Sequence, residues 1–175
     1  MSMTTQAPHP VRGPVLFAYD GSDLAKLAID DAARQLAPGR SALMLTVYQR
    51  FDVGFVPIAG DRFDAADILD VKRAAEKTAA EGAALAHAAG FDARSAVVES
   101  APTWKGIVQV SDEHDATLIV LGSHGRSGLA GVLIGSVAEA VAAHSHRSVL
   151  IVHRGDRADR TPDHADSATP SHTSS

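Results

Sequence analysis

The residues with the clearest chemical signal are Gly122-Ser123-His124-Gly125, then nine residues, then Gly135-Ser136. The apolar run Leu118-Ile-Val-Leu121 leads into them, and Val137, Ala140, Val141 and His144 follow at helical spacing. A strand, a glycine-rich loop and a helix start therefore come in the order an anion site needs. The first N–H groups of a helix have no partner inside the helix and carry partial positive charge. They can hold a phosphate where no Cβ blocks the approach. Gly122, Gly125 and Gly135 are expected to clear that approach, and Ser136 adds a hydroxyl at the first helical turn. Gly128 and Gly131 lie in the same loop, which holds more glycine than a turn requires. It is not a Walker A loop, because Ile134 precedes Gly135 and no lysine lies beyond Ala116. Nor does a G-x-G-x-x-G open the first helix. The loop has the means to bind phosphates but lacks the usual cation for transferring them. His124, inside the loop, is a further candidate donor when protonated.

These residues need a frame that brings them to one place. Residues 14–19 read as a buried strand, and Asp20-Gly21-Ser22 follows as a turn, with Ser22 or Asp23 placed to cap a helix. Ala25, Ala28, Ile29, Ala32, Ala33 and Leu36 recur at helical spacing until Pro38-Gly39. Residues 42–48 form a second apolar strand. Residues 51–63 mix glycine, proline and aromatics, a long connection of the kind that covers a sheet edge or a pocket. A long helix is expected over 67–89, its inner face marked by Ile68, Val71, Ala75, Thr78, Gly82, Leu85 and Ala89. Strands at 92–98, 116–121 and 148–153 and helices at 103–114 and after Gly135 complete the alternation.

Alternating strands and helices predict an α/β fold: one domain with an open parallel five-stranded sheet and helices on both faces. Right-handed crossovers point to the order 3-2-1-4-5. The switch point then falls between strands 1 and 4, where open α/β sheets bind ligands. Asp20 and Gly122, distant in sequence, would flank one crevice.

With the loop spacing in place, the chain resembles the universal stress protein family, in its ATP-binding subclass. The resemblance rests on Leu118 to Gly128, Gly135-Ser-Val-Ala-Glu139, Ser148-Val-Leu-Ile-Val152 and the opening Val15-Leu-Phe-Ala-Tyr-Asp20-Gly-Ser22. It implies an adenine nucleotide alpha-hydrolase-like fold over residues 13–153 and a regulatory, stress-response role with at most slow ATP hydrolysis. It places Asp20 near the ribose or a phosphate-bound Mg²⁺, and the Val47 backbone against the adenine. It places Gly122, Gly125, Gly135, Ser136 and Val137 on the phosphates, with Ser123 and Arg126 close by. It also implies a homodimer, for which the apolar fifth strand at a sheet edge offers a pairing surface. The loop glycines do not decide between ATP, AMP and cyclic AMP. A nucleotide-hydrolysing or nucleotidyl-transferring enzyme on the same fold is the alternative reading. Thr117 and Ser100-Ala-Pro-Thr-Trp104 depart from the family pattern, which often has an aspartate before the fourth strand and a glycine-containing turn into the third helix.

Composition narrows the remaining chemistry. Of 175 residues, 45% are hydrophobic, enough for one core, and only 5% are aromatic, so helices should pack through small side chains. A net charge of −5 argues against a nucleic-acid surface, which needs clustered Lys and Arg. No apolar run is long enough to span a membrane, and Met1 to Arg12 reads as a loose polar arm without a signal-peptide core. With no cysteine there is no disulfide or thiol chemistry, which fits a cytoplasmic protein. Nine histidines invite a metal, yet no H-E-x-x-H appears, and His144 and His146 diverge on a helix. No nucleophile elbow occurs either, so Ser123 is not read as a nucleophile. Trp104 reads as a packing anchor. Residues 154–175 are rich in Ser, Thr, Asp, His and Pro and read as a disordered tail.

Overall fold

The computed structural model describes residues 13–49, 65–124 and 134–154. The expected N-terminal arm, the 51–63 connection, Gly125, Arg126 and nearly all of the C-terminal tail lie outside the described residues. Within them the chain alternates as expected: β1 (Val15–Ala18), α1 (Asp23–Gln35), β2 (Ser41–Tyr48), α2 (Ala65–Ala88), β3 (Asp92–Glu99), α3 (Thr103–Glu113), β4 (Leu118–Gly122), α4 (Ser136–His144) and β5 (Ser148–Val152). The five strands form one sheet in the order β3-β2-β1-β4-β5. Every pair is parallel, with Phe17 of β1 opposite Met44 of β2 and Val120 of β4.

Side-chain alternation divides the core into two layers. Val15, Phe17, Met44 and Val120 point to the face covered by α1 and α2. Leu16, Leu43, Leu45, Ile119 and Leu121 point to the face covered by α3 and α4. The central strands are buried on both faces, hence their unbroken apolar runs. Alanine lets the helices lie close: Ala25, Ala28 and Ala32 of α1 and Ala75, Ala79 and Ala86 of α2 are all buried.

The inner face of α2 differs in one respect from its sequence reading. It runs through Val71, Ala75, Ala79, Gly82 and Ala86, and Leu85 is 41% exposed. Steps of three and four residues must average 3.6 to stay on one face. Leu85 falls off it, while Ala79, Gly82 and Ala86 hold it. The third helix forms although its entry lacks the usual glycine turn: Pro102 occupies the N-cap position and Trp104 stacks on His144 of α4 at 4.4 Å. Thr117, in place of an aspartate, accepts a 2.8 Å hydrogen bond from the Arg40 guanidinium through its hydroxyl.

Candidate functional site

The site begins with how β1 ends. The Tyr19 N–H donates to the Leu45 carbonyl (2.9 Å), and the Thr46 hydroxyl donates to the Tyr19 carbonyl (2.8 Å). The chain is thus fixed to β2 up to Tyr19 and then turns. Gly21 takes φ +81°, a conformation glycine adopts without strain. The Ser22 N–H donates to Asp20 Oδ1 (3.0 Å), and Ser22 Oγ accepts the Ala25 N–H (3.2 Å), so the turn orients Asp20 and caps α1 together. Burial holds the Tyr19 phenol above its ordinary value, and the Glu81 and Asp20 carboxylates add to the rise.

The neighbouring strand supplies the other wall. Past β4, the Ser123 N–H donates to the Val152 carbonyl (2.8 Å), and the Ser123 carbonyl accepts the Gly135 N–H (2.7 Å). This second bond fixes the start of α4 beside the end of β4. No side chain caps Gly135, and the first intrahelical bond runs from the Glu139 N–H to the Gly135 carbonyl (3.0 Å). The N–H groups of Ser136, Val137 and Ala138 therefore have no acceptor within the helix. Ser123 is 3% exposed, and its Oγ lies 3.2 Å from His124 Nδ1.

Between these walls lies a cavity of about 290 Å³. Asp20 and Ser22 stand on one side, and Gly122, Ser123, His124, Gly135, Ser136 and Val137 on the other. Leu45, Val47, Ile107, Leu121 and Ala138 supply apolar wall, and Thr103 lies at the start of α3. Val47 has the same strand parity as Leu45, whose carbonyl faces β1. Its peptide groups therefore face the space that opens where β1 ends. Among the described lining residues Asp20 is the one carboxylate, and they include neither lysine nor arginine. The arrangement suits an elongated ligand with an apolar flat end, hydroxyl donors for a carboxylate and an anion for the α4 terminus.

Of the residues singled out from sequence, Asp20, Val47, Gly122, Ser123, Gly135, Ser136 and Val137 line this one cavity, as does His124. Gly125 and Arg126 lie outside the described residues. Two of the glycines also answer to packing. A Cβ at Gly122 would come within 2.8 Å of Leu24 Cβ, and one at Gly135 within 2.8 Å of the Ser123 carbonyl oxygen. Their small size admits Leu24 of α1 and the Ser123 carbonyl. Sequence reasoning passed over Thr103 and Ile107, whose four-residue spacing puts both on one face of α3. It also passed over the cap at Ser22 as a partner of Asp20.

Comparison with known proteins joins this geometry to a family. The model of the universal stress protein family matches residues 12–153. The chain belongs to the universal stress protein family. Universal stress protein Rv2005c of Mycobacterium tuberculosis is 36% identical over 157 residues, covering 84% of this chain and 47% of the relative. The chain thus spans about half the length of such curated relatives. A universal stress protein solved in complex with cAMP is 30% identical, has a TM-score of 0.56 and covers 81% of this chain and 96% of its own. The Methanocaldococcus jannaschii protein MJ0577, at 22% identity and a TM-score of 0.68, covers 82% of this chain and 97% of its own and shares the fold.

Proposed function

We propose that this chain is a nucleotide-dependent regulatory protein of the stress response, with ATP or another adenine nucleotide held in the cavity between β1 and β4. The observation that carries the reading is the opposition of the Asp20 carboxylate and the side-chain-uncapped start of α4 across one partly apolar cavity. The cAMP complex of the 30% identical family member supports it. Asp20 would accept from ribose hydroxyls. The N–H groups of Ser136, Val137 and Ala138 would hold phosphate oxygens, with the Ser136 hydroxyl beside them. The Val47 peptide would meet the base edge against the apolar walls. Gly122, Ser123, Gly125, Gly135 and Arg126 belong to the proposed phosphate side.

Mg²⁺ fits this donor set only with phosphates present. It typically takes one or two carboxylates and completes its shell with water and phosphate oxygens, and among the described lining residues Asp20 is the single carboxylate. Without a lining lysine or arginine, little in the described site would stabilise charge in phosphoryl transfer, so hydrolysis should run well below about 1 per second. A second copy of this chain is the proposed partner. β5 is an edge strand with Val149, Leu150 and Ile151 half-buried, and pairing would cover it.

Fluorescence of Trp104, the only tryptophan, tests binding directly because its neighbour Thr103 lines the cavity. Saturable change on adding ATP, AMP or cyclic AMP, absent with inorganic phosphate at equal concentration, is expected. No saturable change, with calorimetry equally silent, would overturn the reading.

A further inference from the structure

The turn that carries Asp20 rests on α2, and among the described residues none of this helix lines the cavity. Two contacts make the rest. A Cβ on Gly82 would lie 2.7–3.0 Å from three atoms of the Tyr19 ring, so the ring lies directly against the helix backbone there. One turn earlier, the Thr78 methyl is 3.6 Å from where a Cβ on Gly21 would stand. Thr78 itself is tied down by its hydroxyl bond to the Ala74 carbonyl (3.0 Å). Thr78 and Gly82 are four apart and share one face of α2. They hold the residues on either side of Asp20. Tyr19 is 2% exposed and bound through its backbone to β2, so its ring has no slack to absorb a shift of the helix.

Helix propensity makes the glycine conspicuous. Glycine inside a helix is less favourable than alanine by about 1 kcal/mol. Its place at Gly82 is explained by the ring it admits.

We infer that Thr78 and Gly82 are positioning residues for the Asp20 carboxylate, so that the placement of α2 against the sheet sets the affinity of the cleft for the hydroxyl-bearing part of its ligand. The inference rests on the nucleotide reading for its ligand but concerns residues outside the cavity. Moving the Tyr19 ring moves the peptide that follows, and with it the carboxylate that accepts the Ser22 N–H.

Gly82→Ala tests this in the full chain. The added methyl gains helix propensity, and folding is checked by the urea midpoint. Expected is a loss of about ten-fold in affinity for Mg²⁺-ATP and AMP, the size of one hydrogen bond to a charged group. A merely structural role would give the same loss in an Asp20→Asn background. A positioning role predicts that the Gly82→Ala loss falls to less than about two-fold there, because the two changes act through one group. Tyr19→Leu in the Gly82→Ala chain, which relieves the clash, should recover part of the affinity. The Ser22 amide resonance gives a readout without nucleotide, since its proton reports the bond to Asp20: it should shift in Gly82→Ala and return toward its place in the rescued variant. An unmoved Ser22 resonance overturns the inference whether or not nucleotide binds. Equal losses with and without Asp20 overturn it too. A wild-type chain that binds no nucleotide but shows the Ser22 shift would overturn the ligand reading and leave the positioning of Asp20 standing.

Discussion

At Asp20 the carboxylate has two roles. Its Oδ1 accepts the Ser22 N–H, a bond an asparagine carbonyl can keep, and the group lines the cavity. Asp20→Asn should therefore leave the urea midpoint almost unchanged while lowering Mg²⁺-ATP affinity by about ten-fold, measured by calorimetry. Ser22→Ala should instead lower stability, because its Oγ accepts the Ala25 N–H. Loss of the cap on α1 costs about 1 kcal/mol of stability in denaturant titration. Tyr19 gives a pH signature. Its folded value is raised, so the folded chain holds the phenol proton more tightly than the unfolded chain. That stability is present in full below the ordinary phenol value of about 10 and is lost as pH rises through the raised folded value. Wild type should lose more stability than Tyr19→Phe across that alkaline window, and parallel curves would contradict the assignment.

Between elements, the close approaches of α1 and α4 to β4 depend on glycine. Gly122→Ala would press against Leu24, and Gly135→Ala against the Ser123 carbonyl. Each should cost about 1–3 kcal/mol in urea unfolding without any nucleotide present, as overpacking does. Glycine replacements are thus poor probes of binding here, and Ser136→Ala or Asp20→Asn are cleaner. The strand order and the five parallel strands were legible in the sequence, and so was the meeting of Asp20 with the start of α4, whereas Thr103 and Ile107 were not. Runs such as Val15 to Tyr19 and Leu118 to Leu121 mark strands buried on both faces, and the glycine-rich spacing marks the switch point. The inner row of α2 was less so, because Ala79 and Ala86 are buried while Leu85 is exposed, and alanines carry little pattern. The roles of Gly82 and Gly122 were not legible at all. A sequence shows that a residue is small, but not that a tyrosine ring or a leucine from another element fills the space.

For the whole molecule, two expectations follow from the edge strand and the crevice. If β5 pairs with its copy, sedimentation should give twice the chain mass, and amides of Val149 to Ile151 that face away from β4 should exchange slowly. A monomer with fast-exchanging edge amides would remove the pairing. The crevice itself is the central claim, because it joins two sequence-distant motifs in one ligand site. Its most direct test is calorimetric titration of the full chain with ATP and AMP, each with and without Mg²⁺, alongside folded Asp20→Asn and Ser136→Ala chains. Micromolar binding to wild type, weakened in both variants while their urea midpoints hold, is the result the account predicts. Absence of binding to well-folded wild-type protein, or binding that neither variant alters, would contradict it.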